Sequence, residues 1–206
     1  MRAGRVILIP GAFNPPTEAH VKMGIELHKK YPASKIVYVP CNDNYLVEWK
    51  KQKNFISMED RVRLLYGCID LSYAYVSIFE SDKQPYGYLI DTARHFKNLY
   101  DDVIICIGSD NLAHLDQWKD AETLVKENQF ICFDRNPHIP IKYCQLAADN
   151  KGCNGHINIL SNESFYNGLS STMIRNAYIK GDWDTVFRYV PENVFLYLRY
   201  NDNLFQ

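Results

Sequence analysis

Short apolar runs rich in Val and Ile recur along this chain, and stretches of helical period separate them. The runs occupy residues 5–9, 35–39, 75–79, 103–107, 129–133 and 157–160. Residues 18–30, 57–71, 88–99 and a shorter piece at 111–126 carry the helical spacing between them. Continuous apolar strands read as buried on both faces, and strands joined through helices pair in parallel with right-handed crossovers. The expected fold class is therefore α/β: a Rossmann-like, doubly wound parallel sheet followed by a helical C-terminal segment at 172–180 and 191–200. In such sheets ligands bind outside the carboxyl ends of the strands, so the loops there are where chemistry is sought.

A chain of 206 residues suits one domain, with the Rossmann-like core over about 5–160 and the helical part over about 170–206. Residues 134–155 hold Pro137, Pro140, Gly152 and Gly155 with weak periodicity, and read as a long surface connection. A net charge of −1 gives no bulk pull toward nucleic acid or anionic membrane, so any phosphate recognition must be local. No apolar run is long enough to span a bilayer, and the run after Arg5 is too short for a secretory signal. The six cysteines never form a C-x-x-C pair, and Cys106 and Cys132 sit inside apolar runs. They read as reduced core residues of a cytoplasmic protein.

The first apolar run ends in Pro10 and Gly11 and leads into Ala12-Phe13-Asn14-Pro15-Pro16-Thr17-Glu18-Ala19-His20. A strand, a turn and a helix whose first turn carries Thr and His form a phosphate-binding arrangement, because a helix N-terminus presents free N–H groups and partial positive charge. Near the other end of the chain, Ser170-Ser171-Thr172 opens a second helix, with Arg175 one turn further on the same face. Ser and Thr at a helix start are first of all ordinary caps. Arg175 adds a fork able to grip phosphate oxygens.

The first segment resembles the GxFxPxTxxH signature of the nucleotidylyltransferase superfamily. The second is similar to the ISSTxxR signature of its nicotinate/nicotinamide mononucleotide adenylyltransferase branch, and Arg188-Tyr189-Val190-Pro191 is similar to that branch's RYLVP element. The resemblance implies an enzyme of NAD biosynthesis that joins ATP to nicotinate or nicotinamide mononucleotide and releases pyrophosphate. It makes His20, Thr17 and Arg175 the catalytic candidates, with His20 on the α-phosphate and Arg175 on the leaving pyrophosphate. Gly11, Ala12, Phe13, Gly108, Asp110, Ser171 and Thr172 are implied to hold ATP, together with His20 and Arg175. Such a transfer needs positioning and charge stabilisation but no covalent nucleophile.

The resemblance also implies an acceptor pocket. Tyr88-Leu89-Ile90-Asp91-Thr92 is similar to the family's Y-T-x-D-T segment, with Leu89 where Thr is usual. Gly108-Ser109-Asp110 is similar to its G-A-D, with Asp110 toward ribose hydroxyls, and Trp118 stands where a tryptophan stacks on the pyridine ring. A Trp in an amphipathic helix is otherwise a core residue. Asn14, Lys50, Lys51 and Arg135 complete the expected mononucleotide contacts; Lys50, Lys51 and Lys53 remain alternatives for its phosphate, and Arg135 reads equally as a surface residue. Mg²⁺ is expected to arrive on the ATP phosphates, with no dedicated metal site in the protein. No nucleic-acid or membrane partner is expected, and a homo-oligomer is left open. Two other readings stand beside this one: pantetheine-phosphate adenylyltransferase or a cytidylyltransferase, and a non-catalytic nucleotide-sensing or chaperone-like module. A redox dinucleotide-binding domain is disfavoured because no G-x-G-x-x-G follows the first strand.

Overall fold

A computed structural model of the chain describes residues 2–81, 87–112, 114–133, 157–160 and 169–206. Six strands form one parallel sheet: β1 (Ala3–Gly11), β2 (Lys35–Pro40), β3 (Ala74–Val76), β4 (Tyr100–Gly108), β5 (Gln129–Phe133) and β6 (Ile157–Leu160). Their spatial order is β3-β2-β1-β4-β5-β6, so the winding reverses between β1 and β4. That is the doubly wound arrangement expected from the sequence, and the switch point is where such sheets bind ligands.

Alternation along the central strands sends side chains to two covered faces. Ile7 and Ile9 of β1, with Ile104 and Cys106 of β4, pack with Met23 and Leu27 of α1 (Glu18–Lys30) and Leu65 of α3 (Met58–Tyr66). Val6 and Leu8 turn the other way, toward Phe96 of α4 (Leu89–Leu99). Ile105 and Ile107 of β4 reach Ile90 and Ala93 of the same helix, and Leu124 of α6 (Ala121–Glu127). Three further helices, α7 (Ser171–Lys180), α8 (Trp183–Tyr189) and α9 (Glu192–Tyr200), share a third apolar cluster with Ala19 of α1 and Leu64 of α3. This contact seats the C-terminal segment against α1, the helix that carries the first motif.

Four expectations about the elements need correction. The strand expected at 75–79 covers only Ala74–Val76, because the Ser77 hydroxyl takes the Phe79 N–H (3.2 Å) and turns the chain away from the sheet. The helix expected at 57–71 ends at Tyr66, with Gly67 as its C-cap and the Asn193 amide bonding the Leu64 carbonyl (2.9 Å). The helical piece expected at 111–126 is three elements: α5 (Ser109–Leu112), a 3₁₀ turn (Leu115–Gln117) and α6. Trp118 lies in extended backbone between them, not in a helix. Helix α7 begins at Ser171 with Ser170 as its cap, one position before the expected start. A short helix that periodicity missed, α2 (Asp43–Glu48), follows β2 with Asn42 capping it. The connection expected over 134–155 lies outside the described residues, as does Arg135.

Candidate active site

Gly11 closes β1, and the chain then turns sharply at Phe13, whose φ of 49° lies in the left-handed region that an aromatic residue rarely adopts. The turn folds the Phe13 ring back over Gly11, where a Cβ would stand 3.0 Å from the ring. The buried ring also meets His20 edge-on at 4.9 Å between centroids, and Tyr38 at 5.9 Å. A side chain at position 11 would have to displace the Phe13 ring by a few tenths of an ångström.

His20 is held from several sides. The Thr17 backbone N–H donates to His20 Nδ1 at 3.0 Å, and the Thr17 hydroxyl lies 2.8 Å from the same nitrogen. An amide can only donate, so Nδ1 presents its lone pair, and the proton of a neutral ring sits on Nε2. Nε2 is therefore the atom with an N–H to offer. Thr17 is fully buried and sets the orientation and tautomer of His20.

The two motifs meet in space. Ser171 donates its hydroxyl hydrogen to the Pro15 carbonyl at 2.8 Å, and Arg175 donates from one guanidinium nitrogen to the Asn14 carbonyl at 2.7 Å. The other terminal nitrogen of Arg175 donates to the Thr172 hydroxyl at 2.9 Å. Arg175 is half-buried, and burial holds its pKa below the ordinary guanidinium value. Among the described residues no carboxylate forms an ion pair with it. A partly desolvated cation seated beside two helix N-termini is complementary to a polyanion.

One residue of this assembly escaped the sequence reading. Arg61 is completely buried and donates to the carbonyls of Ile56 (3.0 Å), Ala12 (2.7 Å) and Cys41 (2.8 Å), to the Asp43 carboxylate (2.7 Å) and, at longer range, to Cys41 Sγ (4.0 Å). It thereby ties the exit of β1 to the exit of β2, the start of α2 and the entry to α3. The signal in the sequence was its spacing, since Arg61 falls on the buried face of α3 with Leu64 and Leu65. Asn14 is a second tie between these segments. Its side-chain oxygen accepts from the Ile56 N–H (2.9 Å) and its amide donates to Gln52 (2.7 Å).

On the other side of the switch point, Gly108 ends β4 and Asp110 is exposed in α5 beside it. Tyr88, Leu89 and Trp118 are each partly buried and pack against one apolar cluster, which includes Ile90, Ile107, Leu112 and Leu115. Three of the expected pocket residues, Trp118 far in sequence from the other two, thus border the same cluster. Thr92 does not join them: it is buried and donates its hydroxyl hydrogen to Glu80 at 2.7 Å. Lys50 and Lys51 are both exposed. Lys50 reaches over the Tyr45 ring (6.0 Å) and acts electrostatically on Cys41 at the end of β2, whereas Lys51 sits at a φ of 52° in the turn that follows.

A 3-2-1-4-5-6 parallel sheet with His20 and Arg175 gathered at its switch point defines a Rossmann-like fold, and the family match makes it a nucleotidyltransferase. The cytidylyltransferase-like family model matches residues 8–177. A protein of Acholeplasma laidlawii named "probable nicotinate-nucleotide adenylyltransferase" is 34% identical over 132 residues, covering 64% of this chain and 68% of that protein. A protein of the same name from Methylacidiphilum infernorum is 26% identical over 200 residues, covering 96% of this chain and 90% of that one. The chain belongs to the nicotinate-nucleotide adenylyltransferase family of the nucleotidyltransferase superfamily. The fold is also that of the Plasmodium falciparum nicotinic acid mononucleotide adenylyltransferase complexed with NaAD, with a TM-score of 0.76 at 21% identity and 98% of each chain covered.

Proposed function

We propose that this chain transfers the adenylyl group of ATP to nicotinate or nicotinamide mononucleotide, giving the dinucleotide and pyrophosphate. The names of the relatives support the nicotinate form as the first substrate to try. In the reaction a phosphate oxygen of the mononucleotide bonds to the α-phosphorus of ATP. The bond from that phosphorus to the bridging oxygen breaks, and pyrophosphate leaves with the electron pair. The single observation that carries the reading is Arg175: a half-buried guanidinium with no carboxylate partner among the described residues, fixed between the two motifs by Asn14 and Thr172.

Each residue then has a role set by its position. Arg175 holds the β- and γ-phosphates, with the first turn of α7 at Ser171 and Thr172 beside it. His20 donates its Nε2 hydrogen to a non-bridging oxygen of the α-phosphate, where negative charge builds as the new bond forms. Asp110 accepts from ribose hydroxyls beyond β4. The apolar cluster bordered by Tyr88, Leu89 and Trp118 offers the pyridine ring its surface, and Lys50, which acts electrostatically on Cys41 at the end of β2, is the first lysine to test for the mononucleotide phosphate. Mg²⁺ would arrive on the ATP phosphates and offset their charge, beside the Arg175 guanidinium.

The test is a coupled assay with ATP and each mononucleotide, scoring dinucleotide and pyrophosphate together, with and without Mg²⁺ after chelation. Stoichiometric formation of both products from a nicotinyl mononucleotide is expected, and only with the metal restored. Turnover of pantetheine phosphate or a cytidine nucleotide instead would overturn the reading.

A further inference from the structure

Glu80 lies beyond β3 and is almost completely buried (4% exposed), yet none of the steps above uses it. Its carboxyl oxygen accepts the Thr92 hydroxyl hydrogen at 2.7 Å, and Thr92 is one turn into α4. From the other side Gly87 presses directly onto it: a Cβ at position 87 would stand 2.6 Å from Glu80 Cγ, 2.7 Å from Cβ and 2.9 Å from Cα. Gly87 precedes Tyr88, the N-cap of α4, and Tyr88 and Leu89 border the apolar cluster against which Trp118 also packs, the rim of the acceptor pocket in the proposed function. The buried carboxyl is thus linked to the pocket rim through two routes, one hydrogen bond into α4 and one backbone contact just before it. We propose that Glu80 is a positioning residue for the acceptor pocket, setting where Tyr88 and Leu89 stand through Thr92 and Gly87.

The chemistry of the surroundings gives this device a pH dependence. Burial pushes the Glu80 carboxyl up to about 8, against an ordinary value of 4.5, and the Thr92 bond offsets only part of that. Near neutral pH the group is a neutral acid that fits a dry site. Once it ionises, a charge must be hydrated there, which requires the Gly87–Tyr88 segment to move away. Among the described residues, Cys41 at the end of β2 and Tyr45 in α2 are titratable groups that interact with Glu80 electrostatically. Burial pushes the Cys41 thiol up to about 12 and raises the Tyr45 phenol, so both stay neutral while Glu80 titrates. The cations on adjoining elements, Arg61 of α3 and Lys50 after α2, act on Cys41.

The pocket's occupant is taken from the proposed function, so the experiment separates the two claims. Wild type, E80Q, E80A and G87A are compared by steady-state kinetics with the nicotinyl mononucleotide and by hydrogen exchange of the amides at 88–92 without substrate. E80A and G87A are expected to raise the mononucleotide KM about 10-fold with the ATP KM within about twofold, and to speed exchange at 88–92 selectively. E80Q keeps an oxygen for the Thr92 bond and is expected to restore both readouts. From about pH 7 to about pH 9 the wild-type mononucleotide KM should rise while that of E80Q stays flat. Equal changes in both KM values, faster exchange spread over the whole sheet, or identical pH profiles for wild type and E80Q would each overturn the positioning role. If E80A does not fold, the E80Q pH profile and G87A decide it. Were the wild type silent with nicotinyl mononucleotides, the functional reading would fall, and the exchange pattern at 88–92 would still judge Glu80.

Discussion

His20 has one ring nitrogen already engaged, and this constrains its chemistry. Because Nδ1 accepts from the Thr17 N–H, only Nε2 can donate, and the Phe13 ring packs edge-on against the imidazole. His20→Ala should lower turnover about 10²-fold or more with mononucleotide affinity nearly unchanged, since a donor aimed at developing charge is typically worth about 3–4 kcal/mol. Turnover within about threefold of wild type would remove His20 from the reaction. Trp118 makes a different prediction. Stacking of a pyridine ring on an indole face is worth roughly 1–2 kcal/mol, so Trp118→Ala should raise the mononucleotide KM by about 5- to 30-fold and leave ATP affinity close to unchanged. Titration with each nucleotide separately checks it. Equal losses would mean that Trp118 merely fills the edge of the cluster it packs against.

At the scale of elements, the site is a junction of chain ends, and Arg61 joins most of them. Its guanidinium bonds the segments after β1 and β2 and the entries to α2 and α3, all without exposure to water. Arg61→Met removes these hydrogen bonds and leaves buried carbonyls without donors, so a loss of roughly 3–5 kcal/mol is expected. Urea unfolding should show a lower midpoint at unchanged slope, and the residual folded fraction should bind ATP weakly because the turn at Ala12 is released. A midpoint within experimental error of wild type would mean that water replaces the guanidinium. The docking of α7 onto the first motif, through Ser171 and Arg175, is the other junction that brings the two distant motifs into one site.

For the molecule as a whole, Glu80 predicts how stability varies with pH. Its folded value, near 8, lies above the ordinary 4.5. Between those values the folded protein holds a proton that the unfolded chain has released, so stability declines as pH rises through the window and levels off above about 8. Glu80→Gln lacks this titration. Its stability relative to wild type should grow from about pH 5 to about pH 8 and then stay constant, measured by urea unfolding at several pH values. A gap that does not change with pH would mean the carboxyl is already ionised in the folded protein. No helix among the described residues is long and apolar enough to cross a membrane.

The parallel sheet was legible in the sequence because strands buried on both faces must be continuously apolar, as Val6–Ile9 and Val103–Ile107 are. The two helix-start motifs were legible too, since a tight turn and a helix cap are local and restrict residue type. Element ends were read less well, because the Ser77 and Asn193 side chains that end β3 and α3 act through hydrogen bonds, one of them to a residue far along the chain. The strand order, the meeting of Arg175 with Asn14 and the packing of Tyr88, Leu89 and Trp118 on one apolar cluster came only from the tertiary structure. So did the roles of Arg61 and Glu80. Burial converts a charged side chain from a solvated surface group into one that must be satisfied by particular partners, and those partners are assembled only when distant segments pack.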